Sequence, residues 1–144
     1  MNRKIKNIIN ITAFLVCIGL INIAGQNIEI KIRGMNAFTF ILIVAVLLQI
    51  IFFIPSFLLK TEKYYDLVGS LTYIATVSLA YFSVENKTMI DSIIYFYVMI
   101  WASRLGIYLF TRVRNVGKDV RFEKAKRHFF YFLQYWMGQA LWVS

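Results

Sequence analysis

Three residue types that usually organise a soluble fold are nearly missing from this chain of 144 residues: it has one cysteine, one proline and one histidine. A single cysteine, Cys17, excludes an intrachain disulfide framework, and with one histidine no His/Cys metal cluster can be assembled; Cys17 reads as a small apolar filler. Acidic residues are also scarce, seven against sixteen Lys and Arg, for a net charge of +9. No acidic residue lies inside an apolar run, which argues against a proton-coupled carrier. No G-x-G-x-x-G after a strand, G-x-x-x-x-G-K-[ST], H-E-x-x-H or G-x-S-x-G occurs, so any nucleotide site must be built from helices and loops. Internal repeats, low-complexity tracts and linkers are absent as well, and residues 1–144 read as a single domain.

What the chain has in excess is apolar sequence. Hydrophobic residues make up 60% of it, against ~45–50% in soluble domains, and they come in blocks rather than alternating. Charge-free runs cover Ile8–Gly25, Met35–Leu59, Leu67–Val84, Ser92–Ser103 and Phe129–Ser144. A hydrocarbon core of ~30 Å takes about 20 apolar residues in a helix. The expected fold class is therefore all-α, a polytopic membrane helix bundle of about five transmembrane helices near 7–25, 36–59, 65–84, 91–111 and 129–144. The fifth is too short for a full crossing, so the bundle reads as truncated. The basic start and long first run suit a retained signal-anchor better than a cleaved signal peptide. Gln26–Gly34, with Ile28, Ile30 and Ile32 alternating, reads as a short extended piece, and Pro55 is expected to kink or finish the second helix.

The positive charge could signal nucleic acid, but its placement follows the apolar blocks. With the N-terminus cytoplasmic, Arg3, Lys4, Lys6, Lys60, Lys63, Arg112, Arg114, Lys118, Arg121, Lys124, Lys126 and Arg127 share that side, against Lys31, Arg33 and Lys87 on the other. This is the positive-inside pattern, which gives an integral, multi-pass protein partnered by the lipid bilayer and no nucleic acid. The basic loop also attracts anionic lipid, so a non-catalytic protein binding anionic lipid or a membrane partner through that loop is an alternative reading.

Arg104 stands apart, a charge within an apolar helix. Such residues pair, snorkel or serve a site. Tyr97, Trp101, Arg104 and Tyr108 share one helical stripe, as do Asp66, Gly69, Ser70 and Tyr73, and again Tyr131, Gln134, Tyr135, Gly138 and Trp142. In lipid these stripes are expected to turn inward. The plain alternatives are interface belts for the aromatics, close helix packing for Gly69 and Gly138, and helix capping for Asp66. His128 is a possible acid–base group, more simply a structural interface histidine.

Three segments resemble a known family. Glu62-Lys63-Tyr64-Tyr65-Asp66-Leu67-Val68-Gly69-Ser70, Trp101-Ala102-Ser103-Arg104-Leu105-Gly106, and the Arg112–Phe122 loop with Gly117, Asp119 and Arg121 are similar to motifs of the DUF1295 proteins, relatives of steroid 5-alpha-reductases. The likeness runs over roughly 35–144 and looks like the N-terminal portion of that fold, without its late nucleotide-holding half. It implies an oxidoreductase that uses NADPH to reduce a carbon–carbon double bond in a lipid-like or steroid-like substrate. By the same resemblance Arg104, Arg112 and Arg114 are expected to meet cofactor phosphates, and Tyr65, Asp66, Tyr73 and Trp101 to line the substrate cavity. No catalytic residue and no metal ligand is implied. Phe52–Ser56 replaces the steroid enzymes' Gln-Glu pair, and Trp101 stands where they carry a tyrosine. A related lipid methyltransferase is the weakest reading.

Overall fold

The computed structural model describes residues 3–27, 29–117 and 119–144. Five helices dominate it: α1 (Arg3–Ala24), α2 (Ala37–Leu58), α3 (Tyr65–Ser83), α4 (Met89–Val116) and α5 (Phe129–Val143). A two-residue hairpin, β1 (Lys31–Ile32) with β2 (Met35–Asn36), separates α1 from α2. The extended piece is thus confined to its second half; Ile28 lies outside the described residues. Two of the helices, α2 and α4, are long and apolar enough to cross a membrane, with α1 contributing a shorter apolar stretch. The chain is a helical, membrane-associated protein.

Local signals explain the helix ends. Asn36 caps α2, its Oδ1 accepting from Phe38 N at 2.9 Å, while its Nδ2 donates to Gly25 O at 3.1 Å and ties the end of α1 to the start of α2. Proline lacks an amide hydrogen and clashes one turn back; Pro55 sits in the last turn of α2, and Leu59 N donates to its carbonyl at 2.9 Å as the helix ends. Thr88 and Asp91 form a capping box at the start of α4, satisfying two otherwise orphaned amides. At the other end Gly117, at φ 81°, stops α4 in the left-handed conformation that glycine adopts without strain.

That stop comes later than the charges suggest. Expected to end at 111, α4 runs on to Val116, so Arg112 and Arg114 ride its last turns instead of a loop. Apolar Val113 and Val116 continue the helical pattern, and Val113 is buried; cations are also favoured at a helix C-terminus.

α3 is the centre of the bundle, packed against α2, α4 and α5, while α4 packs chiefly against α3 and α1 against α5. Close approach is built in at two glycines. A Cβ on Gly69 would overlap the Gln139 amide of α5, and one on Gly106 would fall 2.6 Å from Ser70 Cβ of α3. Gly138, expected to serve the same purpose, faces open space within 4 Å. Between α2 and α3 a buried polar ladder runs from Gln49 Nε2 to Thr72 Oγ1 at 3.1 Å, with Thr72 and Thr76 returning their hydroxyls to carbonyls one turn back. The Gln49–Thr72 bond joins the two helices, the kind of contact that holds helices together where lipid removes the hydrophobic drive between them.

A buried hydrophobic cluster lies at the basic end. Phe53, Val68, Phe122, Ala125, Phe132 and Trp136 are buried together there, flanked by Phe57 and Tyr65. The charged segment after α4 is therefore no open loop. It folds as two 3-10 turns, Val120–Phe122 and Ala125–Arg127, with Phe122 driven beneath the helices to 1% exposure.

Candidate functional site

Docking Phe122 brings together charges that are more than fifty residues apart in sequence. Asp119 Oδ1 accepts from Arg121 N and Nε, both at 3.0 Å, and its Oδ2 takes a second guanidinium bond. The same Arg121 reaches across to Asp66 Oδ2 at 3.3 Å. Arg112, on the last turns of α4, closes the set, 3.8 Å from Asp119 and 4.0 Å from Asp66. Both carboxylates are largely covered and both guanidiniums are half-exposed. Hydrogen bonds from Arg121 hold the Asp119 carboxyl below the ordinary carboxylate range, and the same contact pushes Arg121 further up.

Glu62 forms the second half of the cluster, and the sequence reading gave it no role. It is 4% exposed. Its Oε2 accepts from Lys126 Nζ at 2.7 Å and its Oε1 from Asp119 N at 3.1 Å. Glu62 lies in the turn before α3, three residues ahead of the helix, and no periodicity of the sequence points to its partners. Asp66, expected to line the substrate cavity and in the plain alternative to cap the helix, sits inside the first turn of α3, whose end is capped by no side chain; its carboxylate meets Arg121 and Arg112. Tyr65, beside this cluster, donates to Tyr135 O at 2.9 Å and packs 4.7 Å from Phe122 and 5.3 Å from Trp136.

The α3 stripe lies inward as expected, and it parts its duties: Gly69 meets α5, Ser70 meets α4, and Tyr73 bridges both. The Tyr73 ring stands edge-on to Trp101 at 5.2 Å while its hydroxyl donates to Trp142 O at 3.3 Å. Substrate candidates Tyr73 and Trp101 are thus in contact, whereas Tyr65 and Asp66 lie turns away at the basic end.

The α4 stripe does not turn inward. Ala102, Gly106 and Val113 are the buried face of α4. Arg104 is two residues from both Ala102 and Gly106, so it projects about 160° away from each. It is exposed, and among the described residues it has no ion-pair or hydrogen-bond partner. It lines a 270 Å³ cleft with Trp101, Leu105 and Tyr108. Arg112 opens on a separate 440 Å³ cleft with Val113, Val116, Asp119, Val120 and Arg121. Arg114 is exposed nearby. The three arginines grouped by sequence therefore divide between two clefts and one open surface. His128 is exposed at the entrance of α5, and Lys118 lies outside the described residues.

A third cleft, 530 Å³ and mostly apolar, lies between α1 and α5 and is lined by Cys17, so that cysteine is an exposed side chain of a groove rather than packing filler. Among the described residues no group of three His, Cys, Asp or Glu could hold a metal ion.

The sequence pattern of the DUF1295 family, proteins of unknown function, matches residues 52–144. The chain belongs to the DUF1295 family. No curated protein and no solved structure matches it. The family match corrects the expected likeness in two ways: it begins at 52 instead of near 35, and it takes in the C-terminal majority of this chain, so the idea of an N-terminal portion alone does not stand. It spans all four acidic and basic partners of the ion-pair cluster, Glu62 and Lys126, and the full α4 stripe. Residues 1–51, which supply α1, the hairpin and most of α2, fall outside it.

Proposed function

We propose that this DUF1295 protein is a multi-pass membrane protein, its five helices embedded with the N-terminus and the ion-pair cluster on the cytoplasmic side, and that it is a reductase transferring hydride from NADPH to a carbon–carbon double bond of a lipid-like molecule. The observation that carries this reading is a basic cleft at the end of α4 with an exposed aromatic stripe farther along the same helix. The cleft fits the phosphate-bearing part of a nucleotide: Arg112 and Arg121 have side chains 44% and 52% exposed while still held by Asp66 and Asp119, so their free edges are oriented in advance for bidentate bonds to phosphate oxygens. Arg114 adds a third cation, exposed beside them.

The cofactor supplies the hydride; the chain's part is to bind and orient. Arg112 and Arg114 take the phosphates at the membrane surface. Tyr73 and Trp101, in edge-on contact, give an apolar lipid an aromatic corner. Trp101 is a donor only and delivers no proton. Asp66 acts through Arg121 and Arg112 as a positioning residue. Arg104, about 12 Å from Arg112 along α4, lines its own cleft with Trp101 and Tyr108 and is the further cation the resemblance offers to the cofactor.

Titrating NADPH against the protein in nanodiscs, read by tryptophan fluorescence, tests this. Saturable quenching is expected, weakened at least tenfold by Arg114→Leu or Arg112→Leu; absence of saturable binding, or binding indifferent to both substitutions, refutes it.

One observation favours a second reading, a non-catalytic protein that holds anionic lipid. Arg112 and Arg121 are already neutralised by Asp66 and Asp119, and Arg114, Lys124 and Arg127 face outward. That reading expects no NADPH binding and an association with anionic vesicles that weakens steeply with salt.

A further inference from the structure

The apolar cleft between α1 and α5 serves neither the nucleotide nor the aromatic corner of α3 and α4. Phe14 and Cys17 of α1 line it, opposite Phe130, Met137, Gly138 and Leu141 of α5. Phe130 and Leu141 are eleven residues apart, so the cleft runs ~16 Å along α5. With α5 embedded from its start at Phe129, that length matches the ~15 Å of hydrocarbon in one leaflet, half of a ~30 Å core. The section of the cleft suits one extended chain. Spread over its length, 530 Å³ gives about 30 Å², whereas a helix ~10–12 Å across fills ~80–110 Å². The wall is open at Gly138, where a Cβ would meet nothing within 4 Å.

One end of this cleft is cationic. Phe130 follows Arg127 by three residues, and Arg127, His128 and Lys124 are all exposed. Arg112, Arg121 and Lys126 are paired with carboxylates, but among the described residues Arg127 and Lys124 are not. An apolar channel one leaflet deep, with unpaired cations where it reaches the surface, combines the two chemistries of a single phospholipid. The phosphate is the part an arginine holds through two parallel bonds, and the chain is the part that packs against Phe14, Phe130, Met137 and Leu141.

We propose that the α1–α5 cleft binds one anionic phospholipid, with an acyl chain seated along Phe130–Leu141 and the phosphate held by Arg127 with Lys124. This rests on α1 and α5 lying in the bilayer and not on hydride transfer, so a negative NADPH titration leaves it standing. It also requires more than surface charge, because the chain must enter the cleft.

The test titrates the full chain, in a neutral maltoside detergent, with phosphatidylglycerol, with phosphatidylcholine of the same chains and with glycerophosphoglycerol. Native mass spectrometry counts what is bound. One phosphatidylglycerol is expected, held about five- to tenfold more tightly than phosphatidylcholine, with no binding of the chainless headgroup. Replacing both cations, Lys124→Gln with Arg127→Gln, should bring the two phospholipids within twofold of each other. Gly138→Leu fills the cleft without altering charge and replaces a poor helix former. It should weaken both phospholipids at least fivefold with no fall in thermal midpoint, and Cys17→Phe should do the same from the α1 side. Binding unchanged by both fillings overturns the proposal, since headgroup attraction at the surface then accounts for it. A preference that survives loss of both cations overturns it too, as does a dimer that Gly138→Leu dissolves, because a second copy then fills the cleft. Cys17 checks the embedding separately in nanodiscs. Its labelling by a water-soluble maleimide overturns the placement of α1 in the bilayer together with this proposal, whereas an unlabelled Cys17 with lipid binding indifferent to the fillings overturns this proposal alone.

Discussion

Replacing Glu62 by alanine should release the basic segment from the bundle. The carboxylate is 4% exposed and holds two groups at once, Lys126 Nζ at 2.7 Å and the Asp119 amide at 3.1 Å. Losing the acceptor for a covered amide costs about 1–3 kcal/mol. Removing one member of a fully buried ion pair costs ~3–5 kcal/mol, but the Lys126 side chain is 22% exposed and regains water, so its share falls to the low end or below. The two together suggest roughly 2–3 kcal/mol, enough to raise the open population of the segment about thirty- to a hundredfold at ~1.4 kcal/mol per factor of ten. Arg121, Lys124, Lys126 and Arg127 make limited trypsin digestion in nanodiscs a direct readout, because cleavage follows the open population when reclosing is fast. Glu62→Gln keeps an acceptor for the Asp119 amide and should fall between wild type and Glu62→Ala. A cleavage rate for Glu62→Ala within threefold of wild type would refute the argument that this buried pair clamps the segment.

Three further expectations follow from packing and charge. Phe122→Ala removes a ring at 1% exposure that contacts Tyr65, Phe132 and Tyr135; a loss of ~3–5 kcal/mol should appear as a large fall in thermal midpoint in detergent. Gly106→Ala forces a Cβ to 2.6 Å from Ser70 and should lower the same midpoint by the equivalent of about 1–3 kcal/mol, whereas Gly138→Ala, with nothing within 4 Å, should leave it unchanged or slightly raised; the reverse order would contradict the α3–α4 contact. The Asp119 carboxyl is held below its ordinary value, so its contribution to stability is complete above the unfolded-state pKa of ~3.9 and is lost as pH falls through the lower folded value. Amide exchange in residues 119–127, corrected for intrinsic rates, should thus show constant protection from pH 7 to about 5 and a decline below ~4, with the acid-dependent part removed in Asp119→Asn.

Helices were legible from the apolar blocks. The Asn36 cap of α2 and the left-handed Gly117 that stops α4 are local chemistry the sequence reading did not use, and it ended the fourth helix at 111. Arg112 and Arg114 were misplaced into a loop because charge was read as the end of a helix, although Val113 and Val116 carry the apolar face onward. The partners of the cluster were named separately but not joined. Glu62 to Lys126 and Asp66 to Arg121 are contacts across more than fifty residues, and nothing in their spacing along the chain states that they meet.

The chain's order of apolar blocks and basic turns was sufficient for a predominantly helical, membrane-associated protein, since hydropathy and charge act on each segment independently of its neighbours. The tertiary structure alone decided which stripes are shared: it set Tyr73 against Trp101, folded the basic segment onto Glu62 by burying Phe122, and turned Arg104 outward. Those outcomes depend on how helices rotate about their axes to seat Gly69 and Gly106, and rotation is set by packing between segments, which no single segment encodes.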